Sequence, residues 1–181
     1  MMTDNAEHTL VLVFHPHLET ESVANRRLAE AARGVDGVTV RDVYALYPDG
    51  RIDVAAEQAE LLRADRIVWQ FPMYWYSSPS LLKEWEDEVL AYGWAYGPDG
   101  DKLAGKRIMC AVTAGSTEDE YRHDGRFRAT MDETLNPMRI TTEYVGAQWL
   151  EPFAVYACTP DGLTEERLAD AADRYAQILR G

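Results

Sequence analysis

The sequence predicts an α/β fold: a doubly wound, five-stranded parallel sheet with helices on both faces. Three observations carry that expectation. Short apolar, β-rich runs alternate with amphipathic helical patterns along the chain. Five strands can be counted this way, against about five helices, and such alternation calls for parallel strands covered on both sides. The 181 residues, 46% of them apolar, are enough for one sizeable core and too few for two full domains, so residues 1–181 are read as a single domain.

The first strand is expected at Thr9–Phe14, where TLVLVF is short, apolar and β-rich, and helical spacing follows over Ser22–Arg33. Val38–Val43 alternates as a second strand. Val54–Arg63 has helical spacing, and Arg66–Phe71 (RIVWQF) gives a third strand. Pro79 suits the start of a helix running through LLKEWEDEVLAY, Leu81–Tyr92. Lys106–Thr113 (KRIMCAVT) is a fourth, buried strand, with a long loop excursion at Ala91–Gly105 before it and a glycine-rich turn after it. Met131–Arg139 is a weaker helical pattern, Ala147–Ala157 contains the fifth strand, and Thr164 caps a final helix ending at Arg180. Right-handed crossovers leave few orders for such a sheet, and the flavodoxin-like order is preferred.

Composition excludes several classes. Acidic residues outnumber basic ones by 31 to 18, and the formal charge of -13 opposes approach to phosphate backbones, so no nucleic-acid partner is expected. Cys110 and Cys158 form neither a CxxC pair nor a zinc-type cluster, which fits a reduced, cytoplasmic setting. The polar stretch Met1–Glu7 does not lead into the long apolar run of an export signal. No stretch reaches the roughly 18 to 20 apolar residues needed to span a bilayer, so membrane contact would be peripheral, at the inner face and through a partner. The sequence lacks the GxSxG elbow, the GxxxxGKS/T phosphate loop and the GxGxxG fingerprint.

Ligands of open parallel sheets bind beyond the carboxyl ends of the strands, where strand order reverses. Three loops meet that condition: His15–Asn25, Pro72–Pro79 and Thr113–Asp124. Ser22 and Asn25 sit at the start of a helix, whose free N–H groups favour an anion, although Ser22 also reads as a simple cap. His15 and His17 have no further ligand cluster beside them, so no metal is expected. Tyr74, Trp75 and Tyr76 read either as packing residues or as walls for a planar cofactor. Ala114, Gly115 and Ser116 are small enough for backbone to approach a ligand. Tyr121 and His123 are either surface residues or donors to a reducible carbonyl.

The segment Trp69–Gly97, WQFPMYWYSSPSLLKEWEDEVLAYGWAYG, resembles the central signature of the NAD(P)H dehydrogenase (quinone) family. HPH and SVAN near the start, VYALYPDGRIDVAAEQ, and VGAQWLEPFAVYAC near the end extend the likeness over nearly the whole chain. The nearest branch is similar to the ancillary quinone reductases of glutathione-regulated potassium efflux systems. The resemblance implies a flavodoxin-like flavoprotein, FMN in that branch and FAD in related members, with NADH or NADPH as co-substrate. It also implies a homodimer, for which the helix around Leu81–Tyr92 is the expected surface, with the flavin in a cleft between subunits.

Carried over residue by residue, the likeness puts His15, Ser22, Val23, Ala24 and Asn25 around the flavin phosphate. Met73, Tyr74, Trp75 and Tyr76 would line the isoalloxazine, with Thr113, Ala114, Gly115 and Ser116 along its other edge. Tyr121 and His123 are the catalytic candidates. The implied reaction is ping-pong, with one pocket taking NAD(P)H and then a quinone or other small electron acceptor. The same branch suggests an alternative, a regulatory subunit that docks on a potassium efflux transporter. A flavodoxin-type electron carrier fits the acidity but lacks that family's hydroxyl-rich phosphate loop.

Overall fold

A computed structural model describes residues 7–181, so the polar stretch read at Met1–Glu7 lies, apart from Glu7, outside the described residues. The strands are β1 (Thr9–Val13), β2 (Val38–Asp42), β3 (Arg66–Pro72), β4 (Arg107–Thr113), β5 (Gln148–Trp149) and β6 (Phe153–Val155). The sheet order is β2-β1-β3-β4-β5, with β6 also on β4 and every pair parallel. The helices are α1 (Ala24–Arg33), α2 (Val43–Leu46), α3 (Val54–Arg63), α4 (Ser80–Val89), α5 (Met131–Thr134), α6 (Asn136–Tyr144) and α7 (Glu165–Arg180).

β1 and β3 are buried along their whole length, which is why they read as unbroken apolar runs rather than alternating ones. Side-chain alternation divides the core into two layers. Leu10, Leu12, Ile67, Trp69, Ile108 and Cys110 pack with Leu61, Leu82 and Trp85 under α3 and α4. On the opposite face Val11, Val13, Val68, Met109 and Ala111 pack with Leu28, Ala32, Tyr175 and Leu179 of α1 and α7.

The differences from expectation have local causes. The second strand stops one residue early because Asp42 accepts a hydrogen bond from the Ala45 N–H (3.1 Å) and caps the one-turn helix α2. The weak helical pattern after Met131 is two helices. A capping box between Thr130 and Glu133 starts α5, and α6 then runs on to Tyr144. The fifth strand is broken. β5 pairs Arg107 with Gln148, β6 pairs Ala111 with Phe153, and the offset grows by one residue between them. The Leu150 N–H still bonds the Ile108 carbonyl at 2.9 Å, so the extra residue falls at Glu151–Pro152, where Pro152 has no N–H for the ladder.

Candidate active site

The order reverses between β1 and β3, and the loops beyond their carboxyl ends enclose a cavity of about 520 Å³. The first loop and the start of α1 bring His15, Ser22, Val23, Ala24 and Asn25 to it, and the ends of β3 and β4 bring Met73, Tyr74, Thr113 and Gly115, the two sets meeting where Asn25 bonds Thr113. A smaller cavity of about 210 Å³ adjoins it, sharing Met73 and Gly115, with Trp75, Tyr76, Ser116 and Tyr121 as its remaining walls.

Around the start of α1 the chain presents donors. The Asn25 N–H is satisfied by Ser22 Oγ (3.1 Å), as a cap would do, while the N–H groups of Val23 and Ala24 find no acceptor among the described residues. His15 is buried, and its Nδ1 accepts the His17 N–H (3.0 Å). That bond assigns the proton of the neutral ring to Nε2 and makes His15 a donor. Burial, with a smaller contribution from His17, holds the His15 pKa below the ordinary histidine value. Free N–H groups at the start of a ten-residue helix plus an Nε2–H donor form a site for an anion.

Beyond the end of β3 the backbone is strained. Tyr74 and Ser77 exchange N–H···O bonds of 3.0 Å each, and the two residues between them, Trp75 (φ 51) and Tyr76 (φ 60), both lie in the left-handed region. This is a type I′ turn, normally built from Asn-Gly, and it leaves the Trp75 side chain 94% exposed. Tyr76 packs edge-on to Phe127 at 5.0 Å, Phe127 lies 4.9 Å from Tyr121, and Tyr121 lies 5.7 Å from Tyr156. Burial raises the Tyr121 pKa, with Tyr76 adding to it, so its phenol keeps its proton.

Twelve of the thirteen residues expected around a cofactor line one or both cavities; Ala114 does not, its side chain being part of the apolar core. Tyr121 is on the smaller cavity. His123 lines neither, and its Nε2 pairs with Glu133 at 2.8 Å. Cys158, Thr159, Pro160 and Leu163 also line the larger cavity, and the sequence reading passed over them. The rule that pointed to the loops after the first, third and fourth strands applies equally to the loop after the fifth, where these four residues stand. Burial raises the Cys158 thiol pKa, so the thiol is a wall of the cavity rather than a nucleophile.

Residues 7–179 match the family described as Flavodoxin-like fold. The chain belongs to this family. It is 49% identical over 170 residues to the glutathione-regulated potassium-efflux system ancillary protein KefF of Klebsiella pneumoniae (strain 342), covering 94% of this chain and 93% of that one. It is 44% identical over 172 residues to the uncharacterized NAD(P)H oxidoreductase YrkL of Bacillus subtilis (strain 168), covering 95% and 97%. General stress protein 14 of Treponema denticola, solved in complex with FMN, superposes with a TM-score of 0.88 at 39% identity, covering 95% and 97%. As a member of the Flavodoxin-like fold family, the chain keeps its ligand-facing loops at the topological switch point.

Proposed function

We propose that this protein is a flavin-dependent NAD(P)H:quinone oxidoreductase that carries FMN. The observation that carries this reading is the adjoining pair of cavities, one with an anion-ready helix start and the other walled by aromatic residues, with Met73 and Gly115 common to both. A phosphorylated flavin matches that donor set: the phosphate needs N–H donors and the planar ring needs apolar walls. The FMN complex of the Treponema denticola relative supports the choice of FMN over FAD, and the oxidoreductase name of YrkL supports the reaction class.

Bound FMN would supply the redox chemistry, accepting a hydride and returning two electrons. The protein's own part is positioning. The Val23 and Ala24 N–H groups and the His15 Nε2–H would hold the phosphate. The turn Tyr74–Ser77 would border the ring, and the Trp75 and Tyr76 N–H groups, which have no acceptor among the described residues, are free to meet its polar rim. Tyr121, kept protonated, offers its O–H to the carbonyl of the acceptor. No step is assigned to His123, which is engaged with Glu133. NAD(P)H and one proton from solvent convert the quinone to its hydroquinone and leave NAD(P)+, so a single site serves donor and acceptor in turn.

We further assign the protein to the cytoplasm as a homodimer. Among the described residues no helix is long and apolar enough to cross a membrane. The apolar residues of α4 are consumed by the chain's own core. The aromatic surface left for a second copy is Tyr92 and Tyr144, 68% and 70% exposed, each 5.7 Å from Tyr96. The likeness to KefF supports a second reading, an ancillary subunit of a potassium efflux system with oxidoreductase activity alongside. Co-purification with a potassium efflux transporter tests that reading. Steady-state reduction of a benzoquinone by NADH and by NADPH tests the first, and a holoprotein inert with both nucleotides would overturn it.

A further inference from the structure

A buried polar chain runs from the wall of the larger cavity into the core. Gln70, the third residue from the end of β3, is fully buried and lines neither cavity. Its Nε2 donates to the main-chain O of Asn25 at 2.9 Å and makes a longer contact of 3.4 Å to Asn25 Oδ1. Asn25 Nδ2 in turn donates to Thr113 Oγ1 at 2.7 Å, at the end of β4. Asn25 is 1% exposed and Thr113 5%, so the chain Gln70–Asn25–Thr113 ties the first turn of α1 to the ends of two central strands at the base of the larger cavity. Gln70 Oε1, also buried, has no donor among the described residues.

A buried carbonyl without a donor works against folding, whereas an apolar side chain of the same length would remove that defect. An amide placed here at a cost to the fold has a use elsewhere, and among the described residues the groups it grips belong to Asn25. We infer that Gln70 is a positioning residue that sets the preference of this site for phosphorylated flavin over riboflavin. This rests on the flavin reading proposed above. Gripping the Asn25 carbonyl holds the first turn of α1 so that the Val23 and Ala24 N–H groups face the cavity. The ring end keeps an anchor in which the Gln70 side chain takes no part, the main-chain bond from the Met73 N–H to the Thr113 carbonyl at 2.8 Å.

The test is the affinity of flavin-free wild type, Gln70→Met and Gln70→Leu for FMN and for riboflavin, read by quenching of flavin fluorescence, beside the unfolding temperature of each flavin-free protein. Both variants remove the donor, and the second gives a different apolar shape should the first fail to fold. The expected result is FMN binding weakened tenfold or more, riboflavin binding changed less than about threefold, and an unfolding temperature for Gln70→Met no lower than wild type within a few degrees. Equal losses for both flavins, or no loss for either, would overturn the inference while leaving the flavin reading intact. A wild type that binds neither flavin would overturn both.

Discussion

His15 shows how one side chain ties local geometry to binding. Its Nδ1 is taken by the His17 N–H, its ring is buried, and its folded pKa is depressed. The unfolded chain therefore takes up a proton that the folded site refuses, so His15 lowers the stability of flavin-free protein as pH falls below the ordinary histidine value of about 6.5. FMN phosphate at Nε2 would oppose that loss by favouring the imidazolium at the expense of the His17 N–H bond to Nδ1, so the FMN-induced rise in unfolding temperature should be larger at about pH 6 than at about pH 8. A gain independent of pH would remove His15 from the phosphate site. Glu86 titrates in the opposite sense. Burial pushes its carboxyl up to about 7, and its Oε1 has no partner among the described residues. The folded state holds that proton more tightly than the unfolded chain, so the contribution is present below the ordinary carboxylate range and lost as pH rises through about 7. Glu86→Gln should therefore gain stability over wild type on going from about pH 5 to about pH 8, by roughly 1 to 3 kcal/mol after allowance for solvent screening. Equal differences at both pH values in urea unfolding would contradict it.

At the scale of elements, the turn Tyr74–Ser77 places two aromatic residues where Asn-Gly would be relaxed. Positive φ at two bulky residues costs about 1 to 3 kcal/mol each, a strain consistent with binding rather than folding. Replacing Trp75→Asn together with Tyr76→Gly should raise the unfolding temperature of the flavin-free protein while lowering FMN affinity. Trp75→Ala alone should weaken flavin retention or turnover, and unchanged flavin content with an unchanged rate would count against the role given to this side chain. The elements that sequence made legible are those with strong periodicity. β1, α3, β3, β4 and α7 fall within a residue or so of their expected bounds, because unbroken apolar runs and capped amphipathic spacing leave one solution each. The misses depend on tertiary or capping detail: α2 on one Asp42 hydrogen bond, the break between β5 and β6 on Pro152 at the sheet edge. Of the site, the loops after β1, β3 and β4 were legible because strand order dictates them. The strained turn was not, since nothing in WY marks a type I′ conformation.

For the molecule as a whole, the parallel sheet brings residues as distant in sequence as His15, Tyr74 and Cys158 onto one cavity, and this convergence makes a binding site out of separate loops. The homodimer is tested by light scattering, with about twice the 20.5 kDa chain mass expected. A Tyr92→Asp, Tyr144→Asp variant should shift that mass toward the monomer, because an ionised carboxylate in an aromatic interface is left unpaired. Flavin-mediated transfer from nicotinamide to quinone is read in one anaerobic titration of FMN-loaded protein. NADH or NADPH is added first and a benzoquinone second, with the visible flavin absorbance followed throughout. At least one nucleotide should bleach the flavin stoichiometrically, and quinone should restore the absorbance in full. A bound flavin that neither nucleotide bleaches would contradict that transfer.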